Sequence, residues 1–253
     1  KANISVSEAI TLLREKSPES TFVERYLLLM AVSDDIKDLP QALQLGKGLY
    51  YILSKASLPI KDHDLLLGRY DDHVPSDEEQ QKLNEFWKND IDELPLYKYN
   101  FGHRTLNWGA LLRKGITGYL SEAENRLAEA KNDGEDSNTI AFLEGMVLVY
   151  KGILLYIRRY GEAAQNAGLC ECAEVCRSLL RGKPNTFREA LQLMLFVYNI
   201  YLVYAGRLAA CLTLGRLDDL LLGYYENDIA AGILTEEDAG ALIDDLSAKM
   251  SLH

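Results

Sequence analysis

Four cysteines, four histidines and one hydroxyl-glycine-arginine turn are the residues of this sequence best suited to chemistry. Three cysteines cluster in Cys170-Glu171-Cys172-Ala173-Glu174-Val175-Cys176, and thiolates are the usual ligands of zinc and iron–sulfur centres. The spacing argues against both. On a helix Cys172 and Cys176 share a face while Cys170 points elsewhere, and no second Cys or His pair follows nearby. The cluster therefore reads as free thiols in or near a core. His63 and His73 stand among aspartates, in Asp62-His63-Asp64 and Asp71-Asp72-His73, a pattern of solvent-facing loops. His103 has different company: Tyr99-Asn100-Phe101-Gly102-His103-Arg104-Thr105 sets it after two aromatics and a glycine, shortly ahead of a helical pattern. Composition by itself favours a capping or hydrogen-bonded structural imidazole there. In Thr213-Leu214-Gly215-Arg216-Leu217-Asp218-Asp219 two readings stay open. One is a helix-to-loop transition that closes on a small polar ligand; the other is a glycine stop with Arg216 and Asp218 paired locally.

The elements that must position these residues are mostly helices. Five hydroxyl-x-x-acid signatures mark helix starts: Ser5 with Glu8, Ser76 with Glu79, Ser121 with Glu124, Thr186 with Glu189, and Thr235 with Asp238. In each, the hydroxyl caps a free amide and the acid reaches back to satisfy another. The best strand candidate is the apolar run from Leu58-Pro59-Ile60 to Leu65-Leu66-Leu67-Gly68, bracketed by Pro and Gly. Phe187 to Leu212 is nearly apolar enough for a membrane span, but Arg188, Glu189, Gln192, Asn199 and Arg207 interrupt it, which predicts a buried core helix. Asn132 to Asn138 reads as a solvated loop between two helices. The pattern yields a mainly α fold in two helical halves, 1–131 and 139–253.

A chain of 253 residues, 48% hydrophobic, can bury a sizeable core. With 27 basic against 38 acidic residues, its net charge of -11 argues against nucleic acid or an anionic membrane as partner. Four cysteines are too few for a disulfide framework and fit a reducing cytoplasm. The first residues, Lys1-Ala2-Asn3-Ile4-Ser5, have neither an initiator Met nor a signal-like apolar run, and the last, from Ser247 to His253, stop while a helical pattern is still running. Both ends lead us to expect a piece of a longer protein or a divergent short one.

An ordered series of motifs resembles the glycyl radical enzymes of the pyruvate formate-lyase-like family. Pro184-Asn185-Thr186-Phe187-Arg188-Glu189-Ala190-Leu191-Gln192 is similar to that family's Pro-x-Thr-Phe-Arg-Glu-Ala-hydrophobic-Gln string. Leu214-Gly215-Arg216-Leu217-Asp218, Tyr224-Tyr225-Glu226-Asn227-Asp228, and Gly232-Ile233-Leu234-Thr235 with Ala239 follow in the family's order. Upstream, Phe142-Leu143-Glu144-Gly145-Met146, Arg159 to Ala164, and Gly102-His103 with Gly115-Ile116-Thr117-Gly118 look like its preceding helices and its Gly-His segment.

The resemblance covers the chain from about Leu12 onward but corresponds only to the first part of a family member. It implies the N-terminal helical portion of a ten-stranded α/β barrel, with few short strands in this part. It also implies a lyase, dehydratase-like, decarboxylase-like or formate acetyltransferase-like, acting on a small polar substrate in an anaerobic cytoplasm. In the family, a thiyl-forming Cys loop and a C-terminal Arg-Val-x-Gly-Tyr loop come later; no Arg-Val-x-Gly-Tyr string occurs here. The chain by itself is then expected to be inactive and to hold no cofactor or metal. The parent would carry a glycyl radical installed by an S-adenosylmethionine-dependent activating enzyme, and a homodimer is possible. In the diol-dehydratase-like members the Gly-His histidine and the hydroxyl two residues before Gly-Arg contact substrate hydroxyls; here these are His103 and Thr213. Gly206 and Ala209 depart from the acid and glycine common before the Gly-Arg turn. The competing expectation is a non-catalytic helical scaffold or binding module that kept the family's packing and lost its chemistry.

Overall fold

In the computed structural model, residues 23–68, 75–89, 105–205 and 212–250 are described. Nine helices run through them: α1 (Val23–Ile36), α2 (Gln41–Lys55), α3 (Asp77–Asn89), α4 (Trp108–Asn132), α5 (Ser137–Asn166), α6 (Cys170–Arg181), α7 (Phe187–Ala205), α8 (Leu217–Ala230) and α9 (Glu236–Met250). Strands are absent among the described residues, apart from an isolated parallel bridge between Thr105 and Thr213. The mainly helical expectation is met.

The long helix α5 is the hub, packing against α2, α4 and α6. By length and composition it is apolar enough to cross a membrane, yet small residues seat it inside the bundle. A side chain at Gly46 would sit 2.6 Å from the carbonyl oxygen of Gly145, and one at Gly145 would meet the carbonyl of Ala42. Backbone thus touches backbone where α2 crosses α5, a contact any Cβ would prevent. Arg159, also on α5, donates to the carbonyls of Leu53 and Ala56 at 2.7 Å each, satisfying acceptors that the end of α2 leaves free. Among the described residues the larger of two apolar clusters, from Leu49 to Leu246, contains residues of both sequence halves, and a smaller one joins Leu29, Val32 and Ile36 of α1 to Ile52 of α2.

The core helix predicted from Phe187 to Leu212 is observed over Phe187–Ala205 as α7, with Leu212 outside any helix; Ala190, Leu191, Met194 and Phe196 have no exposed surface. Residues 206–211, including Gly206, Arg207, Ala209 and Cys211, lie outside the described residues. Two capping signatures form as written. The Ser76 amide donates to Glu79 Oε2 at 2.8 Å and the Glu79 amide to Ser76 Oγ at 3.3 Å; Thr235 and Asp238 exchange the same bonds at 3.2 and 3.1 Å. At α7 the Thr186 hydroxyl accepts from the Glu189 amide at 3.2 Å, but Glu189 turns to the Asn185 amide at 2.7 Å. The Phe187 amide finds the carboxylate of buried Asp228 instead, at 2.7 Å.

Ser121 opens no helix. It lies inside α4, which is broken earlier, at Gly115, whose φ of 65° and ψ of 176° interrupt the spiral. Glu124, read as its capping partner, pairs across to Lys151 at 2.8 Å. The operative caps are Asn107, accepting from the Ala110 amide at 3.0 Å, and Asp136, accepting from Asn138 and Thr139 at 2.9 and 3.1 Å. The polar loop narrows to residues 133–136. The Ser5 signature lies outside the described residues.

The strand expected at Leu58–Gly68 is a non-regular strap, and side chains supply the bonds a neighbouring strand would have supplied. Gln192 accepts from the Leu67 amide at 2.6 Å and donates to the Leu67 carbonyl at 2.7 Å. Asp245 accepts from the Leu66 amide at 2.8 Å. Lys249, 3% exposed, donates to the Leu66 carbonyl and pairs with Asp245 at 2.6 Å and Asp64 at 3.2 Å. Arg188 donates to the Leu65 carbonyl at 2.8 Å. Asp64, grouped with His63 as solvent-facing, is thus buried, because this cation holds it inside.

The aromatic layer under α5 makes the fold alkali-sensitive. Tyr156 packs edge-on against Tyr160, with centroids 4.9 Å apart, and burial pushes its phenol up to about 12 from 10.0. Burial likewise pushes the Cys176 thiol up to about 12 from 9.0. Both groups hold their protons more tightly folded than unfolded. The stability tied to their neutral forms is full below pH 9 and is lost as pH rises toward about 12. Each group should contribute a slope of about 1.4 kcal/mol per pH unit inside its own window. Urea midpoints should fall steeply between pH 9 and 12, and Tyr156→Phe should flatten the upper part of that fall.

Candidate functional site

The Thr105–Thr213 bridge joins two segments 108 residues apart, one leading into α4 and the other into α8. Burial alternates along the second segment: Leu212 and Leu214 are 6% and 8% exposed, while Thr213 between them is exposed. That is the period of an extended chain with one face on the core, and it presents the Thr213 hydroxyl away from the interior. The Thr213 carbonyl accepts from the Trp108 indole N–H at 2.9 Å and from the Thr105 hydroxyl at 3.4 Å. Trp108, 2% exposed, is the first residue of α4, whose start Asn107 caps.

Beyond Thr213 the chain turns at Gly215, with φ of 71°, into α8. Arg216 and Asp218 form a two-bond pair at 2.9 and 2.6 Å, both side chains well exposed. The guanidinium holds the Asp218 carboxyl down to about 2. Of the two readings left open for this turn, local pairing is the one the geometry supports for Arg216.

His103 lies outside the described residues, as does His73. His63 is exposed, as expected of its loop. Cys172 and Cys176 share a buried face of α6 and Cys170 is exposed, as helical spacing required. Burial raises the Cys172 thiol, with Arg188 3.5 Å away working in the opposite direction. No group of three metal-ligating side chains occurs among the described residues. Leu106, next to Thr105, lines an apolar groove of about 550 Å³ together with Leu49, Met146, Val149 and Ile200. Sequence reasoning passed over Asn107 and Trp108; a helix-capping residue and an indole straight after the Gly-His segment were the available signal.

Residues 77–253 match the family model described as pyruvate formate lyase-like. Among curated proteins the chain is 23% identical to a (2S)-3-sulfopropanediol dehydratase of Klebsiella oxytoca, over 92% of this chain and 37% of that enzyme. It shares its fold with a glycyl radical enzyme from Archaeoglobus fulgidus, with a TM-score of 0.81 and 20% identity over 98% of this chain and 40% of the other. The glycerol-bound B12-independent glycerol dehydratase from Clostridium butyricum superposes with a TM-score of 0.79 and 21% identity, over 99% of this chain and 40% of that one. The chain therefore spans well under half the length of these relatives.

Proposed function

Because this chain belongs to the pyruvate formate lyase-like family, we propose that it forms the N-terminal substrate-side portion of a glycyl radical lyase acting on a small hydroxylated molecule. The relatives' activities, dehydration of (2S)-3-sulfopropanediol and of glycerol, favour a dehydratase-like reaction on a small polyol. His103 and Thr213 are the proposed contacts to its hydroxyl groups. The observation that supports the reading is the Thr105–Thr213 bridge, which pairs the Thr213 segment with the one leading into α4.

The chemistry assigned to these residues is binding and orientation. A threonine hydroxyl donates one hydrogen bond and accepts others; a neutral imidazole does one of each. Together they can fix two adjacent hydroxyls of a polyol, holding one C–H bond in a defined direction for a reactant supplied from elsewhere. That reactant is not part of this chain. The Arg-Val-x-Gly-Tyr string is missing, and the buried thiols Cys172 and Cys176 are packed inside the bundle. No hydrogen-abstraction step is assigned to residues present here. In this reading a radical-activating enzyme is the macromolecular partner, a homodimer the assembly, and an anaerobic cytoplasm the setting.

The test is activation followed by electron paramagnetic resonance. The product of the full reading frame, incubated with an S-adenosylmethionine-dependent activating enzyme, should give an organic radical doublet and turn over a small diol. The 253-residue chain alone should give neither. A doublet from this chain alone, or a full-length product that cannot be activated, would overturn the proposal.

A further inference from the structure

We infer that Trp108 is a positioning residue: its indole N–H sets the register of the Thr105–Thr213 pairing, and with it the direction of the Thr213 hydroxyl. The inference rests on the role proposed above for Thr213. A bridge one residue pair long specifies register weakly, and a slip of one residue along an extended chain turns each side chain to the opposite face. Here such a slip would bring Leu212 or Leu214, both buried, to the outside and turn Thr213 inward. Burial of Leu212 and Leu214 sets which face meets the core, and the carbonyl of Thr213 adds a directional hold on the pairing. It takes two donors, the Trp108 indole at 2.9 Å and the Thr105 hydroxyl at 3.4 Å.

The shorter bond comes from the better-anchored group. Trp108 begins α4, its ring is 2% exposed, and Asn107 fixes the helix start by accepting from the Ala110 amide at 3.0 Å. On the other side, a side chain at Gly215 would stand 3.9 Å from the edge of the indole and 4.0 Å from Leu220. The indole edge thus lies beside the turn into α8. A buried indole donor that lost its acceptor would remain unsatisfied, so the two segments are held to the one register in which the bond forms. Trp108 touches Thr213 through its backbone, not its hydroxyl. Its effect on a substrate would be indirect, through the angle at which the hydroxyl is offered.

The test uses the full-length protein carrying Thr213→Cys, alkylated with iodoacetamide and read by peptide mass, so that Cys170, Cys172, Cys176 and Cys211 are scored separately. Trp108 is compared with a benzothienyl isostere, which keeps the ring's shape and lacks the N–H, and with Trp108→Phe. With the N–H removed, the slipped register should gain about fivefold in population relative to the native one, the factor that one net hydrogen bond is worth, and alkylation at position 213 should slow by the fraction of native register lost. In the protein that keeps Thr213, the isostere should also reduce discrimination between glycerol and 1,3-propanediol, measured as the ratio of dissociation constants without activation. An unchanged alkylation rate in the isostere overturns the inference whatever the diols do. A slowed rate alongside a parent protein that binds no glycerol supports the register role and overturns the substrate reading above.

Discussion

Replacing Lys249 by Met should cost the chain about 3–5 kcal/mol, the scale on which breaking a buried ion pair from one side is measured. The Lys249 side chain is 2% exposed, that of Asp64 is fully buried, and Asp245 is 15% exposed. One ammonium therefore stands between two carboxylates well removed from water. Methionine keeps the apolar stem but takes the Lys249 charge away from both acids and its donor away from the Leu66 carbonyl. The carboxylates also accept from the amides of Lys61 and Leu66, both at 2.8 Å, so the strap loses its counter-charge while its own bonds still require acceptors. Neutral amides preserve those acceptors. Adding Asp64→Asn and Asp245→Asn to Lys249→Met should therefore recover about 2 kcal/mol or more of the loss, because no bare charge remains buried. Urea unfolding of the wild type, the single and the triple variant checks this. A single variant within about 1 kcal/mol of wild type would mean that water reaches the cluster and the triad does not hold the strap.

This triad also marks where sequence reading stopped. The helices could be read because their signals are local: Ser76 with Glu79 and Thr235 with Asp238 close capping boxes within four residues. The segment from Leu58 to Gly68 could not. An apolar run between Pro and Gly looks the same whether its amides meet a strand or a set of side chains, and here the partners are Gln192, Asp245 and Lys249, more than a hundred residues away. Asp64 was misread for the same reason. Its neighbours in sequence, Asp62 and His63, are exposed, and nothing local announces the distant cation. Ser121 shows the opposite error, a correct local signature overridden by a helix already under way from Ile116 after the break at Gly115. At the turn after Thr213, the local Arg216–Asp218 pair was legible from spacing. The Trp108 bond to Thr213 was not, since it joins residues 105 positions apart.

The second large effect is expected in turnover. If His103 and Thr213 orient substrate hydroxyls, truncating either one removes a directional bond from a site where a small misplacement of the reacting C–H is costly. In the activated full-length protein, Thr213→Ala and His103→Ala should each lower kcat/KM for a small diol about 10²-fold or more. Thr213→Ser, which keeps the hydroxyl and drops only a methyl, should stay within about tenfold of wild type. Stability should barely move for Thr213→Ala, because the Thr213 side chain is exposed and its bonds to Trp108 and Thr105 run through the carbonyl.

The most direct measurement is therefore kcat/KM for glycerol or a related diol in the activated full-length protein, compared across wild type, Thr213→Ala, Thr213→Ser and His103→Ala, with melting temperatures taken in parallel. The account predicts a loss of about 10²-fold in both alanine variants, near-retention in the serine variant, and an unchanged melting temperature for Thr213→Ala. Full activity in both alanine variants would contradict it.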